Sequence, residues 1–227
     1  MSSRIKVSGG MLAVLAGALA ASLTLPAAAG DGVDPHATHQ QAAADQSGAR
    51  QEGLPVAVRS VVNYVLPVIT LVRDDGKRVS LPDELNDGRP VVLNFIYTTC
   101  SGICPLASHT FSLLQRKLGS ERDRVHLVSI SIDPEEDTPA RLREYARRYS
   151  AGPEWQHYSS TVEASIAAQR AFDVYKGDKM GHTPATLVRT APGAPWVRFD
   201  GFATADMLLQ ELQGHGQVTA AASSSAN

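Results

Sequence analysis

The stretch Val91-Val92-Leu93-Asn94-Phe95-Ile96-Tyr97-Thr98-Thr99-Cys100-Ser101-Gly102-Ile103-Cys104-Pro105 decides how the rest of the chain is read. Its first seven residues form a near-continuous apolar run, the pattern of a strand buried on both faces. A helix pattern follows from Pro105 to Leu118, with Leu106, Phe111, Leu113, Leu114 and Leu118 as its apolar positions. Cys100 and Cys104 therefore fall at a strand-to-helix turn. The partial positive charge of a helix N-terminus favours a thiolate there and lowers a thiol pKa.

Upstream, Val68–Val72, the turn Asp74-Asp75-Gly76 and Val79–Leu81 read as a β-hairpin. Downstream comes a strand at Val125–Ile132. Thr138-Pro139 then opens a helix to Tyr149, Thr as N-cap and Pro as first helical residue. A third helix is expected over Val162–Phe172. Thr186–Thr190 and Trp196–Phe199 read as a strand pair around Pro192-Gly193, and a last helix spans Thr204–Leu212. Strand-helix-strand pieces imply parallel pairing, and the hairpins add antiparallel strands. The expectation is an α/β domain with a mixed central sheet flanked by helices and an N-terminal β-hairpin.

The 227 residues carry 21 Lys+Arg against 23 Asp+Glu, so there is no basic footprint for nucleic acid. With 43% hydrophobic and 19% charged residues the composition is globular. Two Cys exclude a disulfide scaffold and any four-Cys zinc or iron–sulfur site within the chain. No C-x-x-C-H occurs, which excludes covalent c-type haem. Residues 1–29 have the layout of a secretory signal peptide: Arg4 and Lys6, an apolar run from Met11 to Leu25, then Pro26 and Ala27-Ala28-Ala29. An uncleaved membrane anchor is the rival reading, weakened by the many Ala and Gly in the run. No Cys lies near the cleavage site, so lipid attachment there is not expected. Either way the compartment is periplasmic or otherwise extracytoplasmic, with membrane contact only if the segment stays uncleaved. Residues 30–54 read as a disordered linker, in which His36 and His39 are solvated side chains. Residues 214–227 read as a disordered tail. The domain proper is 55–213, long enough for one well-buried core.

A structural staple is the bland reading of the two thiols. Closing so short a loop contributes only about 2 kcal/mol in the chain-entropy model, and a domain of this size does not need it. Functional thiols remain, of two kinds. The pair can exchange disulfides, with the three intervening residues altering the potential relative to C-x-x-C. It can also bind one soft ion, Cu(I) before Zn(II), which calls for a third ligand, most often His.

Four segments together resemble the SCO/SenC family: Asn94-Phe95-Ile96-Tyr97-Thr98-Thr99-Cys100, Ile103-Cys104-Pro105-Leu106, Ser129-Ile130-Ser131-Ile132-Asp133-Pro134-Glu135-Glu136-Asp137-Thr138-Pro139 and Gly181-His182-Thr183. The resemblance covers the whole of 55–213. It implies a thioredoxin-like fold and a copper-binding protein that assists assembly of the copper centre of cytochrome c oxidase or loads a related cuproprotein; the chain is expected to be a monomer. It implies Cys100, Cys104 and His182 as ligands of Cu(I), or of Cu(II) with an added oxygen ligand. Asp133 and Asp137 match acidic positions near that site; their competing role is N-terminal capping of the helix after Pro139. His109 lies five residues past Cys104, about 500° around a helix, and is set aside. His126 and His157 lie in or beside strands with no partner at ligand spacing. Met180 reads as a cover over the site.

Two departures from the family pattern stand out. Ser101 occupies a position usually held by Pro, which restores an N–H and adds a hydroxyl beside the thiolate. Thr183-Pro184 directly follows His182, a step expected to be cis and packed against the cysteines. The shared copper site requires that isomer and a Cys100–His182 separation one ion can bridge; without them only the disulfide chemistry is expected. Both departures favour the alternative class of function, a thiol:disulfide oxidoreductase with Cys100 attacking and Cys104 resolving.

Overall fold

The computed structural model describes residues 57–224, with side chains described to 214. The signal segment, the linker and its two histidines lie outside the described residues. Eight strands form one sheet: β1 Val58–Val62, β2 Thr70–Arg73, β3 Arg78–Ser80, β4 Val91–Ile96, β5 His126–Ser131, β6 Trp155–Ser159, β7 Ala185–Arg189 and β8 Trp196–Asp200. The helices are α1 Leu81–Leu85, α2 Ile103–Leu118, α3 Pro139–Arg148, α4 Val162–Ala171 and α5 Ala205–Ser224. The spatial order is β1-β8-β7-β4-β5-β6-β2-β3. β4, β5 and β6 run parallel, and every other pairing is antiparallel.

The apolar run at 91–96 occupies the centre because all six of its residues are buried. Successive side chains face opposite sides, as the period of a strand requires. Leu93 and Phe95 join Val128, Ile130, Leu187 and Phe172 in one core. Val92 joins Leu127, Val188, Phe111, Leu114 and Leu208 in the other. α2 and α5 thus cover one face, and α1 and α4 the other. A third, smaller cluster of Ile96, Tyr97, Cys104, Leu142 and Tyr145 sits beneath the turn that follows β4.

Local chemistry at the helix starts is as expected. The Thr138 hydroxyl accepts from the Arg141 N–H at 3.3 Å, and Pro139 is the first residue of α3. The hairpin forms with Gly76 at φ 91°, a left-handed conformation that glycine adopts freely. It pairs with β6, at the edge away from β1.

Four elements depart from expectation, the first being the short helix α1, which begins at Leu81 where the hairpin strand was expected to end. β6 was not anticipated, because Gln156 and His157 break its apolar run. β1 was not anticipated either, since its outer face is polar or exposed. α5 continues past Leu212 to Ser224, where Ala220, Ala221 and Ala222 supply high helix propensity. Among the described residues no helix is long and apolar enough to cross a membrane.

Candidate functional site

β4 ends at Ile96, and Tyr97–Gly102 turn the chain into α2. The Cys100 N–H donates to the Tyr97 carbonyl at 3.2 Å, which brings the Cys100 side chain back over the start of the helix. Cys104 lies in the first turn of α2, and its N–H points at Cys100 Sγ at 3.4 Å. The two thiols are free and differ in exposure: Cys100 is half-buried and Cys104 is buried.

Their proton affinities diverge for that reason. Burial pushes Cys100 upward, but the Cys104 N–H, the Cys104 thiol, the Gly102 N–H and the Tyr97 hydroxyl outweigh it, so its pKa falls below the ordinary thiol value. Burial dominates at Cys104 and pushes its thiol well above that value, with the Cys100 and Asp137 charges adding to the shift. Tyr97 is pushed up to about 12 by burial and by the adjacent Cys100. Sequence reasoning missed Tyr97 because it read as the last apolar residue of a strand.

Asp137 is fully buried. Its carboxylate accepts from the Thr98 hydroxyl at 2.5 Å, the Thr98 N–H at 3.1 Å and the Ser131 hydroxyl at 2.6 Å. It therefore fixes the segment leading to Cys100, and capping of α3 falls to Thr138 alone. Asp133 is paired with Lys179 at 2.6 Å. Its Oδ2 is thereby engaged by an ammonium group.

His182 ends a short 3-10 turn at Lys179–Gly181 and is buried. Its Nε2 lies 3.1 Å from the Phe95 carbonyl. A carbonyl only accepts, so Nε2 carries the proton and Nδ1 keeps its lone pair. That Nδ1 is buried without a hydrogen-bond partner. Burial lowers the His182 pKa against the opposing pull of the Phe95 carbonyl, and the ring is held neutral, the form that binds metal.

The expectation of a cis Thr183–Pro184 bond is corrected: every described peptide bond is trans. His182 is already extended at φ −62°, ψ 132°, and the Pro184 carbonyl accepts from the Gly201 N–H at 2.9 Å, so the loop enters β7 with the cheaper isomer. The structure brings Cys100 and Cys104 together but not all three expected ligands. Among the described residues, no three His, Cys, Asp or Glu side chains are placed to hold one ion. With the Thr183–Pro184 bond trans, the shared site expected with a cis bond is not assembled, and any three-ligand site requires His182 to approach the thiols. Met180 is 76% exposed and points to solvent rather than covering the cysteines. His109 is exposed, and His126 and His157 are buried in the core, as non-ligands.

A mixed sheet with a pair of free cysteines at the β4–α2 turn defines a thioredoxin-like dithiol protein. The family model described as SCO1/SenC matches residues 65–215. The chain belongs to the SCO1/SenC family. It is 37% identical over 92 residues to the SCO1 protein homolog of Bacillus subtilis, covering 40% of this chain and 47% of that relative, about half its length. Among solved structures it is similar to copper-bound ScoI of Bradyrhizobium japonicum, with TM-score 0.56 and 26% identity over 66% of this chain and 98% of that one. It is also similar to BsSco, described as a cytochrome c oxidase assembly protein with a disulfide switch, with TM-score 0.58 and 25% identity over 69% of this chain and 96% of that one.

Proposed function

We propose that this protein binds copper through Cys100, Cys104 and His182 outside the cytoplasm and delivers it to a cytochrome c oxidase subunit or a related cuproprotein, acting as a monomer. The observation that carries the reading is the donor set. Two thiols adjoin at a helix N-terminus, and the His182 loop offers a buried Nδ1 lone pair with no other partner. Thiolates are soft donors and select Cu(I). The Nε2–H bond to the Phe95 carbonyl fits the outer-shell support typical of a metal-bound imidazole, because it fixes the tautomer. Copper bound in the ScoI relative supports copper as the ion. The leader-like segment at 1–29 supports the compartment.

The test is copper titration of the reduced protein. One copper per chain is expected, and the Cys100→Ser/Cys104→Ser double variant should lose it. Full copper binding by that variant would refute the assignment. His182→Ala should retain the fold and bind markedly more weakly; equal affinity would remove His182 from the ligand set.

The asymmetry of the two thiols favours thiol–disulfide exchange as a second reading. The Cys100 thiolate attacks a partner disulfide, forming a mixed disulfide and releasing one partner thiolate. Cys104, after losing its proton, attacks Cys100 Sγ and releases the second partner thiolate. The partner disulfide gains two electrons and the Cys100–Cys104 pair loses them. A Cys104→Ser variant should trap the mixed disulfide.

A further inference from the structure

Lys179 lies three residues before His182 in the 3-10 turn that carries it. Its Nζ reaches across to Asp133 Oδ2 at 2.6 Å and lies 5.8 Å from the centre of the Tyr97 ring. Asp133 belongs to a firm part of the frame. Its N–H donates to the Ser131 hydroxyl at 3.0 Å, and its carbonyl accepts from the Glu136 and Asp137 N–H groups at 3.1 and 2.9 Å. The preceding Ile132 N–H is bonded to the Ile96 carbonyl at 2.9 Å, directly beside the start of the cysteine turn.

The turn has little other support. Behind it is a cavity of about 150 Å³ lined by Ile132, Pro134, Gln169, Tyr175, Asp178 and Lys179. Its own bonds are local: Met180 N–H to Asp178 Oδ1 at 2.9 Å, Gly181 N–H to the Asp178 carbonyl at 3.1 Å, and His182 N–H to the Lys179 carbonyl at 3.2 Å. These bonds shape the turn without attaching it to the sheet. The Lys179–Asp133 pair and the His182–Phe95 bond attach the turn itself, and the Pro184–Gly201 bond pins the chain only after it.

We propose that Lys179 is a positioning residue for the third copper ligand: its ion pair with Asp133 tethers the His182 turn beside Tyr97 and the start of the cysteine turn, the place from which His182 closes on the thiols. The proposal rests on the copper reading given above. A turn tethered near the thiols before the metal arrives loses less conformational entropy when His182 closes on them. Lys179 touches neither thiol, so its loss leaves the two-thiolate part of the site intact. Asp133, in turn, is the anchor of that turn.

The test uses the whole reduced chain and two readouts. In the metal-free protein, hydrogen exchange at the Gly181 and His182 amides should rise roughly fivefold in Lys179→Ala, the scale of a partly exposed ion pair. Cu(I) affinity, measured by competition with a chelator, should weaken by a similar factor. Lys179→Arg keeps the charge and should restore both. In a His182→Ala background, Lys179→Ala should have no further effect on copper affinity, which separates positioning from general loosening. Unchanged exchange in Lys179→Ala would overturn the clamp. Copper binding that is unchanged or tighter, where His182→Ala itself weakens it, would overturn the positioning role. If His182→Ala leaves copper binding untouched, the copper reading of His182 fails, and the link from Lys179 to copper fails with it.

Discussion

Thr98 donates both its N–H and its hydroxyl to the carboxylate of Asp137, 39 residues further along the chain. A third bond arrives from the Ser131 hydroxyl at the end of β5. One buried side chain thus joins the ends of the two central parallel strands and sets the angle at which the chain leaves β4 toward Cys100.

Asp137→Ala should destabilise the fold by about 3 kcal/mol, because it strands buried donors that had a charged acceptor. Burial raises the Asp137 pKa above its ordinary value, against the opposing bonds from Ser131 and Thr98. The folded state therefore holds that proton more tightly than the unfolded chain. The resulting stability is fully present below the ordinary carboxyl pKa and is lost as pH rises through the folded value. Chemical denaturation of wild type and Asp137→Asn across the acid range checks this. The Asn variant should lack the step, and an identical pH profile in both would refute it.

The thiol asymmetry gives a second expectation. Cys100 should alkylate much faster than Cys104, since it is the more exposed sulfur and the one whose pKa is lowered. Peptide mapping after a brief exposure to iodoacetamide should find the label on Cys100. Cys100→Ser should remove the fast phase and leave Cys104 slow. Faster labelling of Cys104 would reverse the assignment of attacking and resolving thiols.

What the sequence disclosed about this site follows from how local each signal is. The strand at 91–96, the cysteine turn and the Thr138-Pro139 helix start were legible because each depends on adjacent residues. The reach of Asp137 to Thr98 and of Lys179 to Asp133 was not, because only the order of the sheet brings those segments together. Asp137 could be read as a cap because it precedes a Thr-Pro helix start, and its actual partner lies in another loop. β6 was hidden by His157, a polar residue that the fold buries without a hydrogen-bond partner at either ring nitrogen. The Thr183–Pro184 isomer was misread by carrying the geometry of a thioredoxin loop onto a turn that His182 and Phe95 already orient.

His157 makes a third expectation about acid stability. It packs on Trp155 and Tyr145, with Asp74 Oδ2 4.0 Å from Nδ1. Burial lowers its pKa to about 3. A depressed pKa contributes stability that is present above the unfolded value and lost as pH falls toward the folded one. The loss should approach about 1.4 kcal/mol per pH unit between the ordinary His value and that floor. His157→Phe keeps the aromatic packing and should flatten this part of the stability profile. An unchanged slope in the variant would mean that His157 does not stay neutral in the fold.

The last expectation links oxidation to metal binding. The Cys104 N–H lies against Cys100 Sγ, so the two side chains meet at the first turn of α2 without any movement of the sheet. A two-electron oxidant such as diamide should join the two sulfurs within one chain, its N=N bond taking up the two electrons and two protons that the thiols lose. Free-thiol titration should fall from two per chain to none, matching the two cysteines of the sequence. The disulfide offers no thiolate, so copper binding should vanish and return on reduction. Thermal stability should rise by only several degrees, because the closed loop is short and its entropic contribution is about 2 kcal/mol. Disulfide-linked dimers in place of the internal bond would show that the pair does not close as its geometry suggests. Copper bound equally well by the oxidised chain would place the metal somewhere other than these sulfurs.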